Sequence, residues 1–142
     1  MDVYTMNQME TIAEKVTFLL KANMILCEEK CILKKKRTIS IHDGHVCINC
    51  QLNHHMSFER LQENGFAFNQ AEILLLPEEF PTFAYALQDH QLPFPSTYRQ
   101  SQGNHPHLIV FFIESIEPPD QFAERLSTAL HTLEQCSTSH LS

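Results

Sequence analysis

Four of the five cysteines fall in two close pairs, Cys27-x3-Cys31 and Cys47-x2-Cys50. Thiolates are soft ligands, and four at such spacing can cage a zinc ion, so Cys27, Cys31, Cys47 and Cys50 are the candidate metal ligands and zinc the candidate cofactor. Two details run against that chemistry. Neither pair carries the glycine that helps a metal knuckle to turn, and Cys47 and Cys50 stand at odd separation on an expected strand, which sends their side chains to opposite faces. The competing expectation is a set of reduced thiols filling sheet positions, with no cofactor bound.

The histidines form a second group of candidates. His42 and His45 flank Asp43-Gly44, His54 and His55 are adjacent, and His105-Pro106-His107 lie further on. Two imidazoles beside Asp43 or Cys47 suit a transition metal. At the tip of a hairpin, however, they are expected to be solvated and to titrate between about pH 5 and 7. Nucleophilic catalysis finds no G-x-S-x-G elbow, and the cysteines sit in apolar stretches and not at a helix start, where a thiolate is favoured. Glu78 and Glu79 form an acid/base pair or, more simply, cap a helix start. The run Lys34-Lys35-Lys36-Arg37 holds four of the ten cations. It reads either as a solvated sheet edge that discourages aggregation or as a site for an anion or acidic partner.

The elements that must position these residues follow from periodicity. Met9, Ile12, Ala13, Val16, Leu19 and Leu20 make one apolar stripe at helical spacing. Met24 to Cys27 and Cys31 to Lys36 read as strands around Glu28-Glu29-Lys30. Thr38 to His42 alternates polar and apolar, Asp43-Gly44 is a favoured two-residue turn, and His45 to Ile48 continues the hairpin. Residues 53–70 have weak periodicity and are expected to be a loop with a short helical piece over 57–62. Ala71 to Leu76 is a strand, ended by Pro77, and Phe80, Phe83, Ala84 and Leu87 give the next helix its core face. Ser96 to Gln100 is an expected edge strand. The unbroken apolar run Leu108 to Ile113 predicts a central strand covered on both faces. Pro118-Pro119-Asp120 open a last helix that buries Phe122, Leu126, Ala129, Leu130 and Leu133. The fold class is α+β: one domain over 1–142, with a largely antiparallel sheet, three main helices packed on it and a frayed tail over 136–142.

Composition limits the functions. The 142 residues carry 17 acids against 10 cations, a net charge of -7, and 43% hydrophobic residues. That hydrophobic content supplies a core, and the acidic balance excludes nucleic acid as a main partner. Only three glycines are present, with no P-loop or GxGxxG spacing. The start, Met1-Asp2-Val3-Tyr4, has an acid where a signal peptide is basic, and no apolar run reaches bilayer length. The expectation is a cytoplasmic protein with reduced thiols and no membrane partner.

The second half resembles a known family. Ala71-Glu72-Ile73-Leu74-Leu75-Leu76-Pro77-Glu78-Glu79-Phe80 with Ala86-Leu87, then Pro106-His107 before the apolar strand 108–112, then Phe122-Ala123-Glu124-Arg125-Leu126 with Ala129-Leu130, are similar to the LppY/LpqO-like family of poorly characterised bacterial proteins. Upstream, Ile39-Ser40-Ile41-His42-Asp43-Gly44 looks like that family's strand and turn. Where the family shows His-Asn-His this chain has Tyr98-Arg99-Gln100, and where the family's strand ends in His it has Phe112. The resemblance therefore implies the fold more than an activity. Arg99, His105 and His107 are the polar residues left near those positions and are the candidate ligand-binding set.

Three functions compete. The first is a non-catalytic binding or regulatory domain, with a protein partner or self-association preferred over a small molecule. The second is a small acidic secretion-type chaperone, similar to the dimeric class I type III secretion chaperones in size, charge and element order. The third is a zinc protein built on Cys27, Cys31, Cys47 and Cys50.

Overall fold

The computed structural model describes residues 2–27, 29–104 and 107–141. Helix α1 (Asp2–Leu20) leads into strands β1 (Asn23–Cys27), β2 (Lys30–Asp43), β3 (Val46–Glu59) and β4 (Ala67–Leu75). A 3₁₀ turn (Pro77–Glu79) runs into α2 (Phe80–Gln88), followed by β5 (Arg99–Asn104), β6 (Ile109–Glu117) and α3 (Pro119–Leu141). The strands form one sheet in the order β1-β2-β3-β4-β6-β5, and every neighbouring pair is antiparallel. This is a single-domain α+β fold. Among the described residues no helix is long and apolar enough to cross a membrane.

The core lies between one face of the sheet and the helices. Met9, Ala13, Val16 and Leu20 of α1 and Phe122, Leu126, Ala129, Leu130 and Leu133 of α3 bury their stripes against Cys31, Leu33, Met56, Phe58, Ala71 and Ile73. Phe80 and Phe83 of α2 meet Phe111 edge-on, with ring centroids 5.4 and 5.7 Å apart. The end of α1 is closed with care. Lys21 takes a left-handed φ of 52°, and the Ala22 N–H donates back to the Thr17 carbonyl, the six-to-one bond of a Schellman stop. The Leu19 and Leu20 carbonyls accept from Ser127 Oγ and Lys35 Nζ, both at 2.8 Å. A cation at the negative end of a helix also complements its dipole.

Five expectations need correction. The edge strand is Arg99–Asn104 and not Ser96 to Gln100, and residues 136–141, expected as a frayed tail, continue helix α3. Residues 53–70 are not a loop: β3 runs to Glu59 and β4 begins at Ala67. His54, Met56 and Phe58 all face the core, and the histidine among them hides the alternation. The apolar strand β6 is not covered on both faces, since Phe112 and Ile116 are 43% and 42% exposed on the open face of the sheet. The hairpin turn is Gly44-His45, one residue beyond Asp43-Gly44, because Asp43 pairs with Val46. Gly44 occupies the first turn position at φ 64°, a conformation that favours glycine.

Candidate functional site

The β2–β3 hairpin is longer than the sheet that supports it. Beyond Lys34, which pairs with Asn23, β1 gives β2 no partner; β4 pairs only with residues 55–59 of β3. Residues 35–43 and 46–54 therefore form a two-stranded arm, roughly 26 Å long at 3.3 Å per residue. Its two faces differ. Ser40 Oγ donates to Asn49 Oδ1 at 2.8 Å on the polar face, where His42 and Cys47 are also exposed. The opposite face continues the core side of the sheet, and its cover runs out toward the tip. His54 is 4% exposed, Leu52 and Cys50 are half-buried, Ile48 is 49% exposed and Val46 57%.

Two polar side chains close the gap where the arm leaves β4. The Leu74 N–H donates to His54 Nδ1 at 3.1 Å, and the Leu74 carbonyl accepts from Arg37 Nη1 at 3.2 Å. They replace the ladder bonds that β3 no longer supplies to the Leu74 backbone. Arg37 Nη2 also pairs with Glu79 Oε2, while Glu79 Oε1 accepts from the Leu76 N–H at 2.8 Å. Glu79 is thus a capping and pairing residue, and Glu78 is exposed.

The electrostatics keep His54 neutral. Burial, with Arg37, Lys35 and His55 as further causes, pulls its pKa down to about 3. With Nδ1 occupied as an acceptor, the ring is a poor general base. Lys35, Arg37, His54, Leu130, Leu133 and Glu134 line a cleft of about 300 Å³ between α3 and the arm's base. Lys36 and Thr38 also line it, and two of its three cations are engaged: Lys35 holds the Leu20 carbonyl and lies 3.9 Å from Glu134, and Arg37 holds Glu79. The basic run is therefore divided. Lys35 and Arg37 turn to the helix-covered face and Lys34 and Lys36 to the other.

The candidate metal set does not converge. Cys27 lies opposite Lys30 and Cys31 opposite Leu26, so the first pair faces two sides of the sheet. Cys50 lies opposite Ile39, eight residues along β2 from Cys31, roughly 26 Å away. These four thiols cannot share one ion in this fold, and among the described residues no group of three or more His, Cys, Asp or Glu could hold one. Cys31 is buried, and desolvation pushes its thiol up to about 12.

The candidate ligand set also separates. Arg99 opens the edge strand β5, exposed and opposite Glu114 on the open face. His107 is exposed beyond the other end of that strand, and the strand from Arg99 to Asn104 alone spans roughly 16 Å. His105 lies outside the described residues.

Sequence reasoning missed a buried ion pair. Arg125 of α3 donates through Nη1 and Nη2 to both oxygens of Glu117, at 3.0 and 2.6 Å. Its remaining donors reach the Leu92 and Pro93 carbonyls at 3.2 and 3.3 Å, and the Phe94 ring lies 5.2 Å from the guanidinium. Four of its five N–H donors are thus used, two on Glu117 and two on the 89–98 loop, which ties that loop to the body and marks a structural staple. The signal was available: Arg125 falls on the helix stripe with Phe122 and Leu126, and Glu117 on the inward phase of β6.

An open-faced antiparallel sheet under three helices, with one hairpin drawn out as an arm, is the class of protein that these features define. The chain belongs to the family described as Domain of Unknown Function (DUF1259), which matches residues 14–132 and so includes the arm. Neither a curated protein nor a solved structure matches the chain.

Proposed function

We propose that this chain is a non-catalytic protein-binding domain of the cytoplasm, a divergent LppY/LpqO-like protein, and that its binding element is the β2–β3 arm. The observation that carries this reading is the bare apolar face at the arm's tip, with Val46 and Ile48 about half exposed on strands whose edges are unpaired. A two-stranded ribbon is marginal in water by itself. Unpaired strand edges are also templates for another chain. The non-catalytic part is supported by the chemistry of the most buried candidates: His54 is held neutral with its Nδ1 occupied, and Cys31 is a desolvated thiol. No cofactor, nucleic acid or membrane enters this reading. The secretion-type chaperone is a narrower version of it, supported by length and acidic charge, whereas four strands and not three separate the first two helices.

The test is fluorescence anisotropy with labelled extended peptides that alternate apolar and polar residues, against helical peptides of equal composition. The extended set binds, and Val46→Lys/Ile48→Lys weakens it by at least about tenfold. A panel that fails to bind, or that binds the variant equally well, contradicts the proposal.

A further inference from the structure

The free edge of β2 has a register of its own. The arm's two-residue turn makes Asp43 and Val46 the closing pair, which in such hairpins exchanges both backbone hydrogen bonds. Counting back from there, odd-numbered residues of β2 bond to β3. Lys36, Thr38, Ser40 and His42 then turn their N–H and C=O groups outward. The parity is the one by which Lys30, Ile32 and Lys34 face β1. Nine residues, 35–43, thus continue the hydrogen-bonding row that β1 leaves off.

We propose that the occupant of this edge is a second copy of the chain, paired antiparallel, β2 to β2, about a two-fold axis at Ile39. This names the partner of the arm and rests on the protein-binding reading above. Ile39 is the midpoint of the free edge, so this register is the one that pairs all nine residues. It also sets no lysine or arginine directly against another. Thr38 stands opposite Ser40 of the second copy and Lys36 opposite His42. A shift toward the base loses backbone bonds, because β1 already takes Lys34, and with the axis at Arg37 or Lys36 it also sets cation against cation, which opposes pairing. A shift toward the tip loses backbone bonds. The basic run thus rejects registers centred on itself, and the length of the free edge favours the one centred on Ile39. The product is a sheet continuous through both copies, with an isologous interface that closes on itself and leaves no repeating edge.

The test is sedimentation equilibrium of the full chain across the micromolar range, with two proline variants matched to each other. Ser40→Pro removes an N–H from the free edge of β2, and Asn49→Pro removes one from the free edge of β3. Each also breaks the same Ser40–Asn49 side-chain bond, so their general effect on the arm is comparable. The expected result is a reversible dimer, weakened at least about tenfold by Ser40→Pro and little changed by Asn49→Pro. A dimer that survives Ser40→Pro, or that both prolines abolish alike, overturns the interface. A wild-type chain that stays monomeric overturns self-pairing. If that monomer still binds extended peptides through Val46 and Ile48, the protein-binding reading stands without it.

Discussion

His54 should make the fold sensitive to mild acid. Its folded pKa lies at about 3, against an unfolded value of about 6.5. The folded state therefore binds fewer protons than the unfolded one. The stability that the neutral ring supplies is complete above the unfolded pKa and is lost as pH falls toward the folded one. Between pH 7 and pH 5 the unfolded chain gains most of one proton at this site and the folded chain almost none, a loss of about 2 kcal/mol. Carried down to pH 3 the same difference grows to about 4 kcal/mol. The structural cause is specific: a proton on Nδ1 removes the acceptor of the Leu74 N–H and places a third cation beside Arg37 and Lys35. His54→Asn keeps an acceptor near the Nδ1 position and does not titrate. Urea unfolding followed by circular dichroism at several pH values from 7 to 5 measures the effect. The variant is expected to be less stable at pH 7, because it loses the packed ring, yet its stability should fall with pH by about 2 kcal/mol less than that of the wild type. Equal pH slopes for the two proteins would refute the assignment of a neutral, depressed His54.

Two further outcomes follow from the buried chemistry. Arg125→Leu strands the Glu117 carboxylate and frees the 89–98 loop, so thermal or chemical unfolding should report a loss of about 3–5 kcal/mol, the usual cost of breaking a buried pair; a loss within the surface range contradicts the staple. Cys27 and Cys47 are exposed and Cys31 is buried with its thiol pushed up to about 12. In native protein, mass spectrometry after brief alkylation should therefore find label on the first two and not on Cys31, and rapid modification of Cys31 would place it at the surface.

The parts of the fold legible in the sequence are those where side-chain type and face agree. The stripes of α1, α2 and α3 are apolar at nearly every core position, so helical period alone located them. β4 and the first hairpin were likewise bounded by turn residues. The misreadings share one cause, a side chain whose polarity disagrees with its environment. His54 is polar and buried, which turned the second half of β3 into an expected loop. Phe112 and Ile116 are apolar and exposed, which made β6 seem covered on both faces. Arg125 and Glu117 neutralise each other inside the core, and each reads in the sequence as a polar break in an apolar phase. The arm was hidden for another reason. Its strands were partly legible, but how far β1 and β4 accompany them is a property of neighbouring strands and not of residues 35–54. Lys35 and Arg37 further masked the inward phase of β2. Each of them reaches a distant carbonyl, that of Leu20 or Leu74, which local sequence does not reveal.

Residue-resolved amide hydrogen exchange across the arm, at low and at high micromolar protein concentration, reads the pairing of the β2 edge itself. Thr38 and Ser40 turn their N–H groups to the free edge, so in the monomer they should exchange as fast as open strand edges do. Pairing of two copies should slow these two amides as concentration rises, while the outward amides of β3 at Asn49 and Gln51 stay unchanged. Fast exchange at Thr38 and Ser40 at every concentration, or protection that first appears on the β3 side, would contradict it.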